Sequence, residues 1–302
     1  MTKRIRLIFL LSRPFFLLGG VLVYGLGAGI ARYLGAPIDW GLYFIGQAYV
    51  TTMQLSAQYL NEYFDATADQ NNPKRTPFSG GSGAVGEGKL SQETVMWAAL
   101  TTLTILASLT VVLISVVPLS ALLVTIVVLA FMGSFFYSSP PVRLAHTGYG
   151  ELTTSIVVAN LVPIFAFVLQ TGELHRLLVM STFPLTALHL AMMIVFEFPD
   201  YLTDLKYEKL TLLVRVGWER GMVLHNLLIL TAFLLLGLAA TFGLPLPIVL
   251  PAFIPLPIGL LQIWQMRRIS GGGKPNWTTM AFTAVVLFGS VTYLLAFTYW
   301  TR

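Results

Sequence analysis

The chain has 302 residues, 56% of them hydrophobic and 10% charged, where a soluble domain carries about 25% charged residues. With a mean hydropathy of +0.78, a large soluble core is excluded and a polytopic membrane protein is expected, one polytopic domain over 1–302. The absence of cysteine rules out disulfides, thiolate metal sites and Cys nucleophiles, and the net charge of +5 takes its meaning from where the basic residues stand.

In chain order, Lys3, Arg4 and Arg6 precede a short apolar run that Arg13-Pro14 interrupts. The stretch beyond is long enough to span a bilayer, so an uncleaved first helix is expected rather than a signal peptide. Nine stretches approach the ~20 apolar residues that a crossing needs. They run over Phe15–Leu34, Trp40–Tyr63, Thr94–Val116, Leu119–Tyr137, Glu151–Gln170, Leu177–Phe198, Met222–Phe242, Pro247–Trp264 and Trp277–Tyr299. Prolines between Pro245 and Pro257 are expected to kink or shorten the eighth. Alternating from a cytoplasmic N-terminus, nine crossings place 15 of the 18 Lys and Arg on the cytoplasmic side, the bias that sets orientation in membranes. Gly271-Gly272-Gly273 reads as a flexible loop.

Two apolar runs end in the same plan: an Asp-x3-Asp pair followed by basic residues. The second helix ends in Asn61, Asp65 and Asp69, the sixth in Glu197, Asp200 and Asp204. This likeness hints at a duplicated four-helix unit with a ninth helix appended, and paired units often hold a site at their interface. At 100° per residue, Gln54, Gln58, Asn61, Asp65 and Asp69 fall within an arc of roughly 80°. His189, Glu197, Asp200 and Asp204 fall within a similar arc, which Pro199 distorts at its end. A carboxylate near mid-membrane costs about 2.5–3.5 kcal/mol, less near the interface. Four aspartates and a glutamate would repel one another without a cation. Hard oxygen donors suit Mg²⁺, which also binds substrate phosphates. Lys74, Arg75, Lys206 and Lys209 add charge suited to phosphate. Either pair alone reads equally well as a solvated helix end; both together, with polar stripes running inward, favour a diphosphate site on the cytoplasmic side.

Other features are weaker alone. The loop Thr76-Pro77-Phe78-Ser79-Gly80-Gly81-Ser82-Gly83 either wraps a phosphate with its N–H groups or is a flexible turn. Tyr137 is either an interfacial anchor or a ring face that stabilises a cation, with Ser138 beside it and Arg143 placed to meet phosphate. His189 reads as a packed, hydrogen-bonded residue in preference to a catalytic base.

Together these residues resemble the UbiA superfamily of intramembrane prenyltransferases. Asn61-x3-Asp65-x3-Asp69 is similar to the first aspartate-rich motif, with Lys74-Arg75-Thr76-Pro77 and Ser79-Gly80-Gly81-Ser82-Gly83 similar to the loop after it. Glu197-Phe198-Pro199-Asp200-x3-Asp204, Lys209-Leu210-Thr211-Leu212 and Val214-Arg215-Val216-Gly217 resemble the second; Arg13-Pro14 and Tyr137-Ser138-x-Pro140-Pro141 match shorter signatures. Two positions depart: Glu208 stands where Gly often precedes the motif lysine, and Glu62 where Asp often follows the motif Asn.

The resemblance implies an all-α membrane protein, a bundle of nine transmembrane helices with a central cavity open to the cytoplasmic side. It implies Mg²⁺ held by Asp65, Asp69, Asp200 and Asp204, with Asn61 assisting, and Lys74, Arg75 and Lys209 on the diphosphate. Ser138, Arg143, Glu197 and Lys206 are further candidate substrate contacts, and Tyr137 the candidate to stabilise an allylic cation. The partners implied are a polyprenyl diphosphate, an aromatic acceptor and the lipid bilayer, with no nucleic acid. The motifs are closer in style to dihydroxynaphthoate-type than to hydroxybenzoate-type members, which points to menaquinone biosynthesis. A glycerol-phosphate lipid acceptor stays open. So does a cation-coupled transporter, although that reading leaves the Lys/Arg after both pairs and the glycine-rich loop unexplained.

Overall fold

The computed structural model describes residues 2–302, and its regular structure among these is helical, with a single bridge between Val85 and Leu90. Ten helices carry the architecture: α1 (Thr2–Leu11), α2 (Pro14–Tyr33), α3 (Trp40–Phe64), α4 (Gln92–Val116), α5 (Ala121–Phe135), α6 (Gly150–Thr171), α7 (Arg176–Glu197), α8 (Trp218–Thr241), α9 (Leu246–Ser270) and α10 (Trp277–Thr301). Helix α1 is separate from the first expected span because Arg13 adopts a left-handed φ of 40° and Pro14 starts a new helix.

All nine expected stretches are helical. Seven of the helices, α2, α4 and α6 to α10, are long and apolar enough to cross a bilayer. Helix α3 has the length, at 25 residues, but Gln47, Gln54, Gln58 and Asn61 dilute its hydropathy. Helix α5 has the hydropathy but only 15 residues. The seven spans show an integral, multi-pass membrane protein. Bulky side chains on outer faces, among them Phe44, Trp97, Val111 and Leu234, are more than half exposed, as a lipid-facing surface allows and a soluble one seldom does.

Prolines shape three helices. In α9 the expected break lies between Ala252 and Leu256. Pro184 sits inside α7. In α6 a π turn, Val157–Leu161, precedes Pro163; the proline ring cannot accommodate the carbonyl four residues back, and a wider turn relieves the clash. Helix α2 crosses α6 at that proline. A Cβ on Gly27 would lie 2.0 Å from the Pro163 carbonyl oxygen, so only glycine permits the approach.

The main core joins α2, α6, α7, α8 and α10, centred on side chains such as Tyr24, Phe167, Leu188 and Leu295. Helices α3 and α4 pack against each other beside it. A smaller cluster, including Leu11, Tyr59, Ala84, Leu90 and Val95, anchors the 71–90 loop to the end of α3. That anchorage fixes the loop next to both aspartate pairs.

Candidate active site

The first aspartate pair continues its helix past the apolar run by one turn, and the second begins a short helix after a turn at Phe198–Asp200. The Asp65 N–H donates to the Asn61 carbonyl (2.9 Å) and the Asp69 N–H to that of Asp65 (3.0 Å). On the other side, the Asp204 N–H donates to the Asp200 carbonyl (2.8 Å) within the short helix Tyr201–Lys206. A residue every fourth place stays on one face, so all four carboxylates face a shared cavity of about 390 Å³ between α2, α3, α6, α7 and α10. Its mouth is acidic, with Asn61, Tyr137, Glu197 and Lys209 in the wall, and its depth is apolar, with Leu22, Val158, Met192 and Phe288.

The four aspartates are not equivalent. Asp65 is buried and saturated: Lys209 Nζ lies 2.7 Å from Oδ2, Asn61 Nδ2 donates to Oδ2 at 3.0 Å, and His146 Nε2 is 3.2 Å from Oδ1. Burial alone would raise the Asp65 pKa, but the Lys209 charge and these hydrogen bonds outweigh it and hold the carboxyl well below the usual range. Burial opposes the charge on Lys209, yet Asp65 and Asp204 keep its ammonium firmly protonated. Asp200 accepts from Asn72 Nδ2 (2.6 Å) and Ser79 Oγ (3.5 Å). Burial still pushes its pKa up to about 6. The carboxylates of Asp69 and Asp204 accept no hydrogen bond from any described residue. Burial first, with neighbouring carboxylates adding to it, pushes both to about 7 against the pull of Lys209.

Among the described residues, no three His, Cys, Asp or Glu side chains converge closely enough to cage a metal unaided. The donor set nonetheless fits Mg²⁺. Two partnerless hard-oxygen carboxylates from opposite motifs flank the cavity mouth, and Mg²⁺ is ordinarily held by one or two carboxylates, waters and substrate phosphates rather than by an all-protein cage.

The glycine-rich loop is built against the site. Gly81 has φ +78°, and a Cβ there would lie 2.7 Å from the Asp69 carboxylate, so this position needs glycine for both conformation and space. Glu62 faces away from the cavity: its carboxylate accepts from the Ser82 N–H and Oγ and pairs with Arg13 Nη2 at 2.8 Å. The departure at Glu62 thus clamps the loop to α2. The departure at Glu208 has a backbone consequence. Its φ is 55°, the left-handed conformation that glycine adopts freely, and this turn brings the Lys209 N–H back to the Asp204 carbonyl (2.9 Å).

Of the expected phosphate cations, Lys209 lines the cavity and Lys74, Arg75 and Lys206 do not. Lys74 borders a separate surface hollow with Lys274. The Arg75 guanidinium fills the space beside Gly83 under its own loop. Lys206 lies over the Tyr207 ring, 5.5 Å from its centroid. Arg13, noted in the sequence only for its short signature, does line the cavity. Ser138 accepts from Asn61 Nδ2 (3.1 Å) and Arg143 Nη2 is 3.1 Å from His146 Nε2, which in turn meets Asp65, so neither lines the cavity itself.

Glu197 lines the cavity, but its Oε2 accepts the Leu213 N–H at 3.0 Å, anchoring the short helix Leu212–Val216. Its carboxyl adjoins that of Glu151, which accepts the Leu212 N–H at 3.2 Å. Glu151, Asn72 and His146 escaped sequence reasoning. They lie outside the two motifs, and only the folded loops bring them there.

A model of the UbiA prenyltransferase family matches residues 21–286. The chain belongs to that family and is a prenyltransferase. Among curated relatives, the 1,4-dihydroxy-2-naphthoate octaprenyltransferase of Mycobacterium leprae (strain TN) is 24% identical over 301 residues, covering 93% of this chain and 97% of the relative. The enzyme of the same description from Mycobacterium tuberculosis is 23% identical over 265 residues, 86% of each chain. Among solved structures, a UbiA homologue from Archaeoglobus fulgidus bound to GPP and Mg²⁺ superposes with a TM-score of 0.64 at 15% identity, over 95% of this chain and 98% of that one. A UbiA homologue from Aeropyrum pernix K1 gives 0.63 at 12% identity, over 89% and 96%. These likenesses establish the UbiA fold. Membership in a prenyltransferase family also sets aside the transporter reading.

Proposed function

We propose that this UbiA-family protein moves a polyprenyl group from a polyprenyl diphosphate to an aromatic quinone precursor, 1,4-dihydroxy-2-naphthoate, in menaquinone biosynthesis, with Mg²⁺ at the aspartates. The observation that carries the reading is the meeting of both Asp-x3-Asp turns with Lys209 at the mouth of an apolar cavity. The mycobacterial relatives' description supports the choice of acceptor.

Asp69 and Asp204, with Asp200 and Asp65 behind them, are the residues to hold Mg²⁺, which when bound neutralises charge developing on the diphosphate. Lys209 and Arg13 supply fixed positive charge to the same leaving group. The prenyl chain extends among Leu22, Val158 and Met192, away from water that would quench an allylic cation. The ring face of Tyr137 stabilises that cation. Ser138 and Arg143 act through Asn61 and His146, and Lys74, Arg75 and Lys206 attract the anionic substrate from the surface. As Asp65 is already paired with Lys209, its use for the metal requires Lys209 to turn to the diphosphate.

In this reading α3 and α5 cross as well, giving nine spans in a single polytopic domain. The low hydropathy of α3 reflects a polar stripe turned inward, and Phe136 and Tyr137 extend α5 toward the interface. The N-terminus and cavity mouth are then cytoplasmic.

The test is a transfer assay on purified protein with labelled geranylgeranyl diphosphate, with and without Mg²⁺. The acceptors are 1,4-dihydroxy-2-naphthoate, 4-hydroxybenzoate and a glycerol-phosphate lipid. Mg²⁺-dependent product with the naphthoate is expected. Product with another acceptor alone would replace the acceptor, and product undiminished by chelation would overturn the metal's role.

A further inference from the structure

His189 stands in α7, 5% exposed, with its ring in the cavity wall. Its hydrogen bonding determines which nitrogen carries the proton. Ser155 Oγ lies 2.7 Å from the Glu151 carbonyl oxygen, which can only accept, so the single hydroxyl hydrogen of Ser155 is spent there. The same Oγ lies 3.0 Å from His189 Nδ1. The ring must therefore donate Nδ1–H, and a neutral imidazole then presents Nε2 as a bare lone pair. No described residue donates to Nε2, and it is open to the cavity. Phe288 packs edge-on to the ring, with centroids 5.0 Å apart, and fixes its plane.

The surroundings narrow what fills this acceptor. Ser155 stands two residues before the π-helical stretch of α6, a distortion frequent at functional sites. Within that turn, Asn160 bonds Thr182 and Thr186, so α6 grips α7 both before and inside the distortion. Eight residues of helix place His189 about 12 Å deeper than Glu197, beyond a diphosphate held at the aspartates and in the apolar depth of the cavity. A bare acceptor in an apolar wall is costly unless a donor meets it. A polyprenyl chain has none; a hydroxylated ring does.

We infer that His189 Nε2 accepts a hydrogen bond from a hydroxyl of the aromatic acceptor and orients its ring toward the prenyl carbon, an inference that rests on the acceptor class proposed above. Ser155 is a positioning residue that holds the required tautomer.

The experiment measures KM for both substrates, and direct binding of the acceptor, in wild type, His189→Leu, His189→Gln and Ser155→Ala. Wild type is also tested with the dimethyl ether of 1,4-dihydroxy-2-naphthoate. His189→Leu is expected to raise the acceptor KM about tenfold, the loss of one buried hydrogen bond, with the prenyl diphosphate KM unmoved. Gln, whose amide oxygen reaches the Nε2 position, recovers part of this, and the ether binds wild type and the Leu variant equally weakly. Ser155→Ala, which frees the tautomer, gives a smaller rise and serves if the Leu variant does not fold. An unchanged acceptor KM in the folded variants overturns the inference, as does a change confined to the prenyl diphosphate, which would assign His189 to the tail wall. Wild type that turns over no hydroxylated aromatic would instead defeat the proposed function, and this inference with it.

Discussion

Asp69 and Asp204 face the cavity without a partner, and their pKa values of about 7 record that situation. A carboxyl whose folded pKa is raised adds stability below its unfolded pKa, near 4, and loses it as the pH rises through the folded value. Asp65 runs the other way, but its depressed pKa acts only below pH 4. Metal-free protein should therefore melt at a higher temperature at pH 5 than at pH 8, and Mg²⁺ at pH 8 should remove the difference. A melting temperature that is flat or rises with pH would contradict this. By the same charge argument, Asp69→Asn and Asp204→Asn should each lower transfer at least a hundredfold while leaving the metal-free melting temperature equal or higher. A fall in both together would mean that these side chains hold the fold rather than the metal.

Among the elements, the turn between Asp204 and Lys209 carries backbone strain. Glu208 is exposed and left-handed, a conformation that costs a side-chain-bearing residue about 1 kcal/mol. Glu208→Gly should raise stability by about that amount, read as melting temperature in detergent, without changing the prenyl diphosphate KM. A loss of stability would show that Glu208 makes a contact worth more than the strain. The turn also explains a limit of sequence reading. Lys206 and Lys209 are both lysines and three residues apart, yet one lies over the half-buried Tyr207 ring and the other reaches Asp65. The reversal at Glu208 separates them, and a carboxylate side chain does not announce a left-handed backbone.

Over the whole molecule, apolar length and basic bias are what the proposed orientation rests on. The chain contains no cysteine, so single introduced thiols report on sidedness directly. Under the proposed topology, Lys74→Cys and Lys274→Cys should react with an impermeant maleimide from the cytoplasmic side, and Glu173→Cys only from the other. Labelling of positions 74 and 173 from the same side would break the nine-span alternation.

What the sequence by itself determined is everything governed by local spacing and solvent preference. Apolar run lengths predict all nine stretches that prove helical, the prolines mark the break in α9, and Asp-x3-Asp places two carboxylates on one helical face because four residues make about one turn. Only the tertiary structure decided which charges meet. It paired Lys209 with Asp65, turned Glu62 to the loop and Arg75 beneath it, and brought Asn72, His146 and Glu151 beside motifs far away in the chain. The physical reason is that a hydrogen bond or ion pair depends on a few ångströms between side chains. Those ångströms are set by where helices cross and loops pack, as at Gly27 against Pro163, and not by separation along the chain.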